Sequence, residues 1–150
     1  MTTLLRVRLG SAVLGLPATA VREIVRAVAI APLPGAPAIV EGAVNVRGLL
    51  VPVIDVRHRL ALATKPLDPD EFLIVLNAGA RTVAMRVDDV EELIDVDADS
   101  MQTPAALSPA LRGLSGVAAH DDGVVVIYDP DAFVSQGEVD AIDVALAAGA

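Results

Sequence analysis

Apolar residues recur along the chain with the period of strands. Leu5-Arg6-Val7-Arg8-Leu9 alternates apolar and basic side chains, Gly10-Ser11 is a turn signal, and Ala12 to Leu16 resumes as a second apolar run. This pattern predicts a β-hairpin closed by Pro17. Further short runs follow at Val21 to Val28, Val44 to Val46, Leu49 to Val56, Phe72 to Leu76, Thr82 to Val87, Val90 to Val96, Leu114 to Ala118 and Val124 to Tyr128. They are rich in Val and Ile and bounded by Gly, Pro, Asp or Asn, so the expected class is all-β, a sandwich or barrel of many short strands. Helical signals are few. Ala18 to Arg22 and Pro109 to Leu114 each suit one helical turn, and Glu138 to Leu146 places Val139, Ile142 and Leu146 on one side of a short amphipathic helix.

The pattern also repeats. Gly10 to Leu14 and Gly79 to Val83 lie 69 positions apart, and the same offset brings Val21, Glu23, Ile24 and Val25 onto Val90, Glu92, Leu93 and Ile94. Further on the offset becomes 74, with Gly42 falling on Gly116 and Asp55 on Asp129. A duplication predicts two β units of about 65 to 75 residues that share a core, because neither alone buries enough surface. The breakers from Ala61 to Pro69 mark the expected join, with one subdomain near 10–65 and the other near 70–134. The N-terminal strand is a candidate for exchange between them, and 135–150 forms a tail with the short helix.

Composition narrows the function. Hydrophobic types make up 54% of the 150 residues, too many for a disordered chain, yet no segment approaches the ~20 apolar residues of a membrane span. Met1 to Arg6 lacks the features of a secretory signal, so a cytoplasmic location without membrane insertion is expected. The absence of cysteine removes disulfides, thiolate metal sites and cysteine nucleophiles. A net charge of −9 repels phosphate backbones, which excludes nucleic acid as the expected partner. The charge is also polarised. Residues 1–60 carry seven Arg against three acids, and residues 61–150 carry four basic against seventeen acidic residues, an asymmetry suited to orienting partners.

Catalytic and metal-binding patterns are incomplete. Asp95-Val96-Asp97-Ala98-Asp99 begins like a calcium loop, but Ser100 replaces its turn glycine and Ala106 its bidentate glutamate. Asp88 to Glu92 offers hard oxygen ligands that the strand pattern assigns to an exposed face. His58, three residues after Asp55, has no recognisable nucleophile or oxyanion donors around it, and His120 precedes an Asp121-Asp122-Gly123 turn. No catalytic residue, metal ligand or cofactor is expected. The most distinctive stretch is Gly42 to Asp55, where Asn45 and Arg47 stand in an apolar strand region with a glycine at either end. An arginine there pairs with a carboxylate, and the repeat nominates Glu23 or Glu41. It either bridges strands or serves as a contact group for a protein partner.

Three ordered stretches resemble the CheW-like domains of bacterial chemotaxis adaptors. Val21-Arg22-Glu23-Ile24-Val25 comes first, then Leu33-Pro34-Gly35-Ala36-Pro37 with Glu41 to Gly48, then Val51-Pro52-Val53-Ile54-Asp55. Val87 to Leu93 and Leu111 to Val117 are similar to the family's second half. The resemblance implies a single CheW-like domain over 1–150, built of two intertwined SH3-like five-stranded β-barrel subdomains with short helices, and no catalysis. It also implies an adaptor between the cytoplasmic tip of chemoreceptors and the regulatory domain of a CheA-type histidine kinase, working at membrane-associated receptor arrays through these partners. On this basis Val21, Glu23, Asn45, Arg47, Gly48 and Val87 are candidates for the receptor surface, expected in the groove between subdomains, and Leu114 and Val117 for the kinase surface. A general peptide-binding barrel, or a small metal-dependent hydrolase using Asp55, His58 and the acids from Asp88 to Glu92, are the alternatives.

Overall fold

The computed structural model describes residues 2–59, 62, 66, 68–78, 81–97, 114–120, 123–128 and 136–149. Among the described residues ten strands form in the order the alternation predicts: β1 (Thr2–Leu9), β2 (Ala12–Pro17), β3 (Val21–Arg26), β4 (Val40–Val46), β5 (Leu49–Ile54), β6 (Phe72–Ala78), β7 (Arg81–Val87), β8 (Asp89–Val96), β9 (Leu114–His120) and β10 (Gly123–Tyr128). The expected turn at Ala18 is a 3-10 turn over Ala18–Ala20, Val56–Arg59 forms a short helix α1, and Gln136–Gly149 forms α2. Gly79, the segment 98–113, the Asp121-Asp122 turn and Asp129 lie outside the described residues.

The strands divide into two five-stranded sheets, ordered β8-β1-β2-β10-β9 and β3-β6-β7-β5-β4. Advancing every label of the second sheet by five, and counting β6 and β7 back to β1 and β2, reproduces the first. The repeat is thus present as topology. The second sheet is built from consecutive strands, β3 to β7, whereas the first is discontinuous, because the hairpin β1–β2 lies with β8–β10. The hairpins β1–β2 and β6–β7 are placed alike, each joining the rest of its sheet through one antiparallel and one parallel pairing: β1 to β8 and β2 to β10 in one sheet, β6 to β3 and β7 to β5 in the other.

Strands covered on both faces explain the high hydrophobic content. On β7, Val83, Met85 and Val87 face a central core that also holds Leu5, Val7, Leu9, Leu14 and Leu16 of the other sheet, while Ala84 faces a separate core inside its own sheet with Val44, Val51, Val53 and Leu73. On β1, Leu4 lies on the face opposite Leu5, Val7 and Leu9 and enters a third cluster with Ile94, Val96 and Ile127. The predicted C-terminal helix is longer than its apolar pattern, and its Ile142 is fully buried in the central core.

Candidate functional site

The β4–β5 hairpin pairs Val46 with Leu49 and leaves Arg47-Gly48 as a two-residue loop. Both residues have positive φ, 52° and 85°, as in the turns whose twist matches that of the flanking strands. Glycine adopts this conformation without steric cost, whereas a side-chain-bearing residue does so only where its surroundings require it. The Gly48 N–H donates to Asn45 Oδ1 at 2.7 Å, fastening the loop to the strand that enters it. Arg47 is therefore a turn residue rather than part of an apolar strand, and its side chain is 81% exposed.

Arg47 Nη2 lies 2.8 Å from Glu23 Oε1 on β3. Of the two acids nominated from sequence, the fold selects Glu23; Glu41 instead accepts from Arg86 Nη1 at 3.0 Å. β3 and β4 are the two edges of their sheet, so the Glu23–Arg47 pair reaches from one edge to the tip of the hairpin that contains the other. At the far end the edges are closed by backbone. Ala31 and Ala43 exchange N–H···O bonds of 3.0 and 2.8 Å, and a Cβ on Gly42 would lie 2.2 Å from the Ala31 carbonyl oxygen. Glycine is required there by close backbone approach.

Two hollows open beside the ion pair. One, of about 220 Å³, is lined by Val25, Val28, Val44, Val46 and Leu73 together with Glu23, Asn45 and Arg47. The other, of about 210 Å³, is lined by Val46, Leu49, Val51 and Val75 together with Arg22, Glu23, Arg47 and Thr82. Ile24, Val28, Leu49 and Leu50 leave apolar surface exposed nearby. An apolar floor with a charged rim is the composition of a protein-docking surface. The apolar floor comes from β3 to β6 and Val28. Val25, Val44, Val46 and Val51 lie in the stretches that resemble the family, whereas Leu73 and Val75 are marked by strand pattern alone.

The other candidates are scattered. Val21 is half-buried against the central core. Val87 has no exposed surface and is part of that core, which corrects its assignment to a docking groove: the space between the sheets at this point is filled by side chains. Leu114 and Val117 lie on β9, the terminal strand of the first sheet, paired with Tyr128 and Val126 of β10. Their side chains lie outside the described residues, as does that of His58.

The acids once considered as metal ligands have other partners. Asp88 Oδ2 accepts the Gly10 N–H at 2.6 Å and Oδ1 pairs with Arg57. Asp89 lies 3.5 Å from Arg8, while Glu91 and Glu92 flank Arg6 at 3.3 and 3.6 Å. Among the described residues no group of three His, Asp or Glu side chains could hold a metal ion, and no helix is long and apolar enough to cross a membrane. A cluster that sequence reading missed stands inside the second sheet, where buried Arg86 is held by Glu41 and by Glu71, the latter at 2.7 Å from Nε. Burial raises the Glu41 carboxyl above its ordinary value; Arg86 and Arg57 oppose this, and Asp55 and Glu71 add to it.

The sequence pattern of the CheW-like domain matches residues 3–138. The chain is 31% identical to a chemotaxis protein CheW of Klebsiella aerogenes over 71% of its own length and 66% of that protein's. It is 32% identical to a chemotaxis protein CheW of Rhizobium meliloti, covering 81% of this chain and 80% of the relative. Among solved structures it superimposes on the scaffolding protein TtCheW of Thermoanaerobacter tengcongensis with a TM-score of 0.77 and 27% identity, over 85% of this chain and 88% of that one. The match spans both sheets, and the neighbour's SH3-like β fold agrees with the fold that the resemblance implied. The chain belongs to the CheW-like domain family, whose members are non-catalytic scaffolds.

Proposed function

We propose that this chain is an adaptor of bacterial chemotaxis signalling that couples the cytoplasmic tip of chemoreceptors to the regulatory domain of a CheA-type histidine kinase. The observation that carries the reading is the Glu23–Arg47 pair on the rim of two apolar hollows, at positions that resemble the family's signature acid and arginine. Its relatives' description as chemotaxis proteins supports the same pathway. Receptor contact is assigned to Glu23, Asn45, Arg47, Gly48 and the exposed part of Val21, and kinase contact to the β9 edge with Leu114 and Val117. The two candidate surfaces belong to different sheets, so both partners could be held at once. The chain acts in the cytoplasm, at receptor arrays, through these partners.

Titration calorimetry with a two-helix receptor-tip fragment tests the receptor arm. Arg47→Ala is expected to weaken binding at least tenfold while the melting temperature stays within about 4 °C, because an exposed ion pair contributes at most ~1 kcal/mol to stability. Unchanged affinity would remove Arg47 from the interface. Size exclusion with the kinase regulatory domain tests the other arm, where a 1:1 complex is expected and separate elution at low and high salt would exclude it.

A further inference from the structure

Helix α2 lies almost wholly beyond the family match, which ends at residue 138 while the helix runs to Gly149. It is nonetheless seated on the shared fold. Ile142 is fully buried in the core between the sheets, Leu146 packs against the same cluster, and Ala145 is buried. Asp143 pairs with Arg81, the first residue of β7. The next residue, Thr82, accepts from Arg22 at 2.8 Å and lines a hollow with Glu23 and Arg47. Successive strand residues face opposite sides of a sheet, so the seat of α2 and the candidate site meet across one strand.

The attachment is narrow for a helix of 14 residues. Asp140, Asp143, Val144 and Ala147 are exposed, and Val144 presents 70% of its surface to solvent. An isolated helix of this length is marginal in water, and an ion pair whose carboxylate is half exposed holds weakly. The helix is therefore maintained chiefly by Ile142, Ala145 and Leu146 in their seat.

We propose that α2 is an intramolecular occupant of a helix-docking surface, displaced when a partner's acidic amphipathic helix places a branched aliphatic side chain where Ile142 lies and a carboxylate on Arg81. The inference rests on the adaptor reading and deepens it by adding a second contact for the receptor tip, on the face of β7 opposite the Glu23–Arg47 site. The chemistry of the partner follows from α2 itself, whose Ile142-Asp143 dipeptide supplies the aliphatic and the acidic group. It follows also from the basic side chains along the path from this seat to the rim, Arg81, Arg22 and Arg47. Competition of this kind lowers apparent affinity by the fraction of molecules in which the seat is vacant, so α2 sets the threshold for docking.

The natural chain has no cysteine, so the full-length Arg81→Cys/Asp143→Cys variant can be bridged at one place by a short bismaleimide. Its control is the same variant capped with N-ethylmaleimide, and circular dichroism checks that both are folded. Titration with the two-helix receptor-tip fragment is expected to show at least tenfold weaker binding by the bridged form. Hydrogen exchange of the wild-type chain is expected to accelerate at residues 140–147 on adding the same fragment. Equal affinities, or α2 amides that stay equally protected in the complex, would overturn the displacement and leave the adaptor reading standing. No binding by the wild-type chain would overturn the adaptor reading and the displacement with it.

Discussion

Arg86 occupies an interior position of β7, on the same face as Ala84, where a charge is tolerated only with partners. Glu41 and Glu71 supply them, and the surplus of carboxylate together with burial holds Glu41 partly against ionisation. The sign of the pH effect follows. A carboxyl whose folded value is raised stabilises the fold fully below its unfolded value, near 4.5, and loses that contribution as pH rises through the folded value. Glu41→Gln keeps an oxygen for Arg86 and removes the titration, so its stability relative to wild type is expected to grow as pH rises above 4.5. Urea unfolding at a series of pH values checks this; a constant difference between the two proteins would refute it. Gly42 makes a second prediction. Gly42→Ala drives a methyl group into the Ala31 carbonyl, and forcing the backbones apart is expected to cost about 1–3 kcal/mol in chemical denaturation. Sequence reading marked both Glu41 and Gly42 as notable, but the close approach and the choice of Arg86 as partner depend on residues far along the chain.

At the scale of elements, the exchanged hairpin β1–β2 carries most of the consequence. Its strand pattern and its Gly10-Ser11 turn were legible from alternation alone. Its destination was legible only as a candidate exchange, because an alternating run such as Leu5 to Leu9 offers the same apolar face to either sheet. The fold secures it locally at Asp88, which receives the Gly10 N–H and pairs with Arg57 of α1. In sequence Asp88 read as one of several exposed acids; its side chain is only 18% exposed. Asp88→Ala leaves a buried guanidinium and a turn N–H without these partners, a loss of roughly 3 kcal/mol by comparison with other broken buried pairs. A melt that barely moves would show that solvent replaces Asp88 readily. The C-terminal helix is the opposite case: Ile142 and Leu146 were placed on its apolar side from spacing alone, and both meet the central core.

For the molecule as a whole, the central core unites both sheets and α2, and each sheet has only a smaller cluster of its own beside it. Leu16 belongs to one sheet and Met85 to the other, and both are fully buried in the same cluster. Leu16→Ala is expected to cost about 2–5 kcal/mol and to lower a single calorimetric transition rather than split it into two; two resolved transitions would show that the sheets unfold separately. The sequence by itself determined the class, the strand positions, the duplication and the absence of cysteine chemistry, because alternation, turn residues and composition are local or additive properties of the chain. It also singled out Arg47, a charge in an apolar stretch, and nominated Glu23 or Glu41 as its partner. Tertiary structure decided which hairpin joins which sheet, that Val87 is core, that Arg47 pairs with Glu23 while Glu41 serves Arg86, and that side chains from five strands form two hollows. These depend on long-range pairing: a valine facing a core and a valine lining a hollow carry the same signal in sequence, and only the packing of distant strands distinguishes them.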